Sequence, residues 1–146
     1  MARSDKLSDL VQTVRKLNWE VRPKIASDPE SNKAGHPLHQ AIADIRNNEI
    51  RTSQLIRGMS LAEVGVEEDV GQVVEHVEAD TVGARQLLSE FGTAREAILS
   101  ILRTLPENEW EEAHDTFRGD KSFQDIVDDL IASDREHVAK IEAAIG

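Results

Sequence analysis

The chain has 146 residues and a formal net charge of −11, with 28 Asp and Glu against 17 Lys and Arg. That length suits one domain, which buries roughly 68–70% of its unfolded surface and needs no disulfide or metal staple. The absence of cysteine excludes a disulfide framework, a thiolate zinc site, an iron–sulfur cluster and a cysteine nucleophile, and the acidic balance argues against nucleic acid or an anionic membrane as partner, since both require clustered Lys and Arg.

Residues 1–14 alternate charged and apolar side chains, and no window approaches the roughly 20 apolar residues of a membrane span, so a cytoplasmic protein is expected. Ser4 reads as the N-cap of a first helix carrying Leu7, Leu10, Val11, Val14, Leu17 and Val21 at spacings of three and four, with Pro23 as its end. Residues 25–35 mix Asp-Pro, Ser-Asn and Gly and read as a loop or as a loose helix start. A second helix over residues 37–57 places Leu38, Ala41, Ile42, Ile45, Thr52, Leu55 and Ile56 on one face, with Gly58 as the stop.

In residues 59–80, Gly65, Gly71 and the run Glu67-Glu68-Asp69 interrupt any single pattern, which predicts a long connection with a turn of helix near residues 73–77. A third helix is marked by Val82, Leu87, Leu88, Phe91, Ala94, Ile98, Ile101, Leu102 and Leu105, and Pro106 follows it. After a connection over residues 106–121, Ser122 caps a fourth helix with the stripe Phe123, Ile126, Val127, Leu130, Ile131, Val138, Ile141 and Ile145. No strand-like alternation is evident. The expectation is an all-α, single-domain four-helix bundle over residues 1–146, with links long enough for an order other than simple up-down. Leu88, Phe91, Ile98, Leu102, Ile126, Leu130 and Ile141 are expected to share one core.

Polar residues that interrupt an apolar stripe carry information in a bundle, because its sites are built from inward-projecting side chains. Ser133, Asp134 and His137 interrupt the fourth helix: Ser133 and His137 follow Leu130 by three and seven, and Asp134 follows it by four. An imidazole there suits a metal ligand or a proton-transfer group, and equally a core histidine bonded to a neighbour. His36 and His39 share a face around Pro37 without a nearby carboxylate set, His76 lies in an acidic stretch, and His114 lies in a connection. The chain has no Gly-rich phosphate loop, His-Glu-x-x-His helix, nucleophile elbow or EF-hand loop. A ferritin-like carboxylate site is disfavoured because neither Glu78 nor Glu136 has a His three residues on.

The order of features in the second half resembles the DinB-like family: Thr93-Ala94-Arg95-Glu96-Ala97-Ile98-Leu99 through Leu105, then Pro106-Glu107-Asn108-Glu109-Trp110, then Gly119, then Ser133-Asp134-Arg135-Glu136-His137-Val138-Ala139-Lys140-Ile141. In that family a helix ending in Leu leads to an acidic turn with a Trp, a Gly, and a closing helix reading roughly His-Asp-x-x-His-Leu-x-x-Ile. Asp44 followed five positions later by Glu49 resembles the family's other motif, a His and then an acidic residue.

The resemblance implies a four-helix bundle with a divalent metal held by three histidines, one from the second helix and two from the fourth, in homodimers packed through bundle helices. It also implies metal-dependent thiol transfer, isomerisation or hydrolysis. Carried over by position, His137 matches the second histidine of the closing helix, Ser133 stands at the first, and Asp44 stands at the second-helix ligand. One imidazole of the three remains, and a serine hydroxyl is a poor ligand for Zn²⁺ or Ni²⁺. Asp44, His137 and Asp134 suit a harder cation such as Mg²⁺ or Mn²⁺, weakly held. The expected function is therefore a non-catalytic or weakly metal-binding member with a cleft for a small-molecule ligand between the second and fourth helices. The alternative is a metal-dependent enzyme acting on a small molecule.

Overall fold

The computed structural model describes residues 2–61, 78–116 and 118–145. It is mostly helical. Helix α1 spans Arg3–Ser27, α2 Pro37–Leu61, α3 Ala84–Thr104, a single turn α4 Glu107–Trp110, and α5 Phe123–Ile145. Short 3₁₀ turns cover Pro29–Asn32 and Ala79–Thr81.

The boundaries follow from local chemistry. At α2, His36 is the cap: its Nδ1 accepts the Leu38 N–H at 3.0 Å and its carbonyl accepts the Gln40 N–H at 3.0 Å. Asn32 caps α3 from outside, with Oδ1 accepting the Arg85 N–H at 2.9 Å, and its amide packs closely over Gly83, where a Cβ would displace it. At α5 the Ser122 hydroxyl accepts the Asp125 N–H at 3.0 Å and the Asp125 carboxylate accepts the Ser122 N–H at 2.9 Å, a reciprocal cap.

Four expectations need correction. Helix α1 already begins at Arg3 with Ala2 at its N-cap, so Ser4 lies in the first turn and does not cap it. Helix α1 continues through Pro23 to Ser27, because Val21 and Ile25 are both buried and hold the last turn in place. Helix α2 continues through Gly58, since Met59 is buried one residue later. The connection after α3 contains a small antiparallel hairpin, β1 His114–Thr116 with β2 Gly119–Lys121, pairing Thr116 with Gly119. Gly119 takes a positive φ of 92° at the turn. The turn expected at residues 73–77 lies outside the described residues.

Long-range pairs set the directions. Lys6 reaches Asp128 at 2.8 Å and Lys16 reaches Glu142 at 3.0 Å, so α1 and α5 run parallel. Arg46 reaches Glu90 at 2.8 Å and Glu49 pairs with Arg95, so α2 and α3 are also parallel. Arg3 with Leu102 and Arg22 with Ser89 make α1 antiparallel to α3. Each of α1 and α2 packs against both α3 and α5.

The seven expected core residues are all buried, yet they divide between two clusters. Ile98, Leu102, Ile126 and Leu130 join Leu10, Leu55, Ile56, Met59, Trp110 and Phe123. Leu88, Phe91 and Ile141 join Leu17, Val21, Leu38, Ile42, Ile45 and Leu87. On every long helix the break falls at one level, between Leu10 and Leu17, Ile45 and Leu55, Phe91 and Ile98, and Leu130 and Ile141.

Candidate functional site

The level that separates the two clusters is polar. Arg95 of α3, wholly buried, extends there and uses all five of its N–H groups. Its Nε and Nη2 donate to the two oxygens of Glu49 on α2, the Nη2 bond at 2.9 Å. Nη2 also donates to Asp134 Oδ1 at 2.7 Å and Nη1 to Asp134 Oδ2 at 2.9 Å, on α5. The second Nη1 hydrogen meets the Leu10 carbonyl of α1 at 2.9 Å. One guanidinium thus ties four helices together, held from beneath by Phe91, whose ring centroid is 5.1 Å away.

Two carboxylates around one cation leave an excess negative charge in an apolar interior. Burial pushes the Glu49 carboxyl above the ordinary carboxylate value, against the opposing pull of Arg95. The guanidinium is driven higher still by its two carboxylate partners, against its own desolvation, and stays charged.

One turn outward, α2 and α5 meet in a second polar contact. Asn48 Nδ2 donates to Ser133 Oγ at 3.3 Å, and Ser133 Oγ lies 3.1 Å from His137 Nδ1. In its neutral state the ring can either accept the hydroxyl proton at Nδ1 or donate Nδ1–H to the hydroxyl oxygen. Burial, aided by Lys140, holds the imidazole below its ordinary value, which fits that state. Asp44 lies one helical turn from Asn48 toward His137, where its charge opposes that lowering, and its carboxylate accepts an N–H of Gln40 at 2.9 Å.

The four residues singled out from sequence are therefore brought to one stretch of α5 and α2 but divided between two environments. Ser133 and His137 are half-buried partners of each other, Asp44 lies on α2 with its carboxylate bonded to Gln40, and Asp134 joins the Arg95 network. Among the described residues no group of three or more His, Asp and Glu side chains has a metal-holding arrangement. These donors do not fit a three-imidazole centre: Asp134 is committed to Arg95, and His137 Nδ1 is committed to Ser133. The other described histidines are structural. His36 caps α2, His39 is buried with Nε2 2.7 Å from the Val82 carbonyl, and His114 stacks edge-on against Phe123 at 5.4 Å. His76 lies outside the described residues.

Space for a ligand lies on the opposite side of α5 from this contact. A groove of about 1080 Å³ runs between α1 and α5, lined among others by Thr13, Lys16, Trp19, Ile131, Val138 and Glu142. Trp19, 83% exposed, stands at its edge. Asn48 and Ser133 bridge α2 and α5 where the sequence suggested a cleft. Comparison with known proteins returns no matching family model, no matching curated protein and no matching solved structure.

Proposed function

We propose that this chain is a DinB-like four-helix bundle without the family's three-imidazole centre, and that it serves as a non-catalytic binding module for a small molecule. The observation that carries the reading is the Asn48–Ser133–His137 chain: at two of the three positions where the resemblance calls for ligands, Ser133 and His137, the side chains bond to each other, and Asp44 at the third bonds to Gln40. The α1–α5 groove supports it with room on the scale of ligand pockets, roughly 300–1,000 Å³. Asp44 and His137 are the pair left to hold a hard divalent cation weakly. The homodimer that the resemblance implies belongs to the same proposal, and sedimentation equilibrium at tens of micromolar returning a monomer mass would remove it.

Metal analysis of protein purified without a histidine tag tests the reading. Stoichiometric Zn²⁺ or Ni²⁺ is expected to be absent, and one tightly bound metal per chain would move the metal-dependent enzyme ahead. The double substitution Asp44→His and Ser133→His is expected to create a tight Zn²⁺ site, because positions 133 and 137 share a face and position 44 lies opposite on α2. Calorimetry showing Zn²⁺ binding no better than in the parent would mean that Asp44 and His137 do not face one ligand position.

A further inference from the structure

Helix α1 carries Arg15 and Trp19 four residues apart, which sets them side by side on one face with Cβ atoms about 5–6 Å apart. Both are exposed, and both line the α1–α5 groove on the side of the bundle opposite the α2–α3 pair. An exposed Trp alone is ordinary on a protein surface; its company in the groove is not. On the facing wall, Ile131, Arg135 and Val138 follow one another at spacings of four and three, with Ala139 next to them. They form an apolar strip about 10 Å long on α5, interrupted by one cation.

The charges of the groove divide into those already paired and those left over. Lys16 binds Glu142 at 3.0 Å, and Asp134 is held by Arg95. Among the described residues Arg15 and Arg135 make no side-chain hydrogen bond or ion pair, and neither does the carboxylate of Asp9, the remaining acid of the lining. The pairs Lys6–Asp128 and Lys16–Glu142 fix the register of the two parallel helices, which puts Arg135 level with residues 9–13 of α1. Arg15 therefore lies about 3–9 Å from Arg135 along the axis, an offset that two long, unanchored side chains can close on one ligand. Two cations against one unpaired acid leave a single positive charge, on a chain whose net charge is −11. That balance suits one carboxylate better than a phosphate or a dicarboxylate, and the strip and the indole call for an apolar body behind it.

We propose that the α1–α5 groove binds an amphipathic monocarboxylate, with the carboxylate between Arg15 and Arg135 and the apolar body laid along Ile131, Val138 and Ala139 against the Trp19 ring. This names the ligand class of the small-molecule module proposed above and rests on that reading. A medium-chain aliphatic acid and an aromatic acid share the required chemistry.

The test titrates the protein with octanoate and with 3-phenylpropanoate, each beside the primary amide of the same body, and with acetate, following backbone amide NMR shifts. At least one of the two acids is expected to bind saturably with a Kd below about 1 mM, with its amide and acetate at least about ten-fold weaker. The tighter of the two acids identifies the body as aliphatic or aromatic. Arg15→Gln, Arg135→Gln and Trp19→Ala, all at exposed positions, are each expected to weaken binding about five-fold or more with helical circular dichroism unchanged. An amide that binds as tightly as its acid would overturn the ligand class and leave the small-molecule module standing. Acid binding unchanged in both arginine variants would put the site elsewhere and overturn the proposal as well. If no acid or amide shifts any groove residue up to about 5 mM, the groove is not a small-molecule site and the module reading falls with the proposal.

Discussion

The Arg95 guanidinium meets three other helices, so its loss strands two carboxylates, Glu49 and Asp134, in an apolar layer. Arg95→Ala is expected to cost about 3–5 kcal/mol in urea unfolding, the usual penalty for removing one partner of a buried ion pair. Replacing all three together, Glu49→Leu, Arg95→Met and Asp134→Leu, is expected to be neutral or stabilising, because the desolvation cost of the charges disappears with them. A triple variant as unstable as Arg95→Ala would show that packing, not stranded charge, sets the loss. His137 gives the pH counterpart. Its folded value lies below the ordinary imidazole value of about 6.5, so as pH falls the unfolded chain takes up the proton first. The contribution is fully present above about 6.5 and declines as pH drops toward the folded value. In NMR titration its ring signals should move at a lower pH than those of the exposed imidazole in a denatured sample, and a midpoint at or above the denatured one would contradict burial as the dominant influence on the ring. Asp134 and His137 stood out in the sequence as polar breaks in a stripe. Arg95, four residues after Phe91 and three before Ile98, is the same kind of break, and Glu49, four after Ile45, is another. Each was readable as a charge on an apolar face. That the charges meet at one level depends on helix pairing, which one helix's periodicity does not encode.

At the scale of elements, α5 shows what sequence chemistry predicts well. Ser122 was legible as a cap, and its reciprocal bonds with Asp125 make Ser122→Ala expected to cost about 1 kcal/mol, measurable as a lowered urea midpoint with an unchanged slope. Leu130, buried in the cluster with Leu10 and Phe123, is expected to lose about 2–5 kcal/mol on truncation to Ala, and a loss under about 0.5 kcal/mol would mean that the inner face of α5 is assigned wrongly. The stop signals at Pro23 and Gly58 misled for one physical reason: local propensity is outweighed by burial of the following apolar residues, Ile25 and Met59. At Pro23 the lost hydrogen bond belongs to the Trp19 carbonyl, and Trp19 is the most exposed large apolar residue described, so that side of the helix faces water. The hairpin at residues 114–121 escaped notice because three-residue strands are too short to show alternation.

For the molecule as a whole, the parallel pairing of α2 with α3 explains why the chain needs the long segment after α2, since parallel neighbours cannot be joined by a tight turn. The same arrangement stacks two apolar clusters with a charged layer between them, and Arg95 with its partners is what joins the upper half to the lower across all four long helices. This predicts that cooperativity, as well as stability, depends on the layer. In a Trp19→Phe background Trp110 emission reports the cluster around Leu10, Leu102 and Phe123, whereas circular dichroism reports helix throughout. The two urea curves are expected to coincide, as they do for a two-state domain. Adding Arg95→Ala is expected to separate them, because each cluster keeps its own apolar contacts while the strongest connection between them is lost. If the curves still superimpose in that variant, the two clusters are coupled through helix continuity and apolar packing alone, and the buried ion network sets how stable the fold is without setting whether it unfolds as one unit.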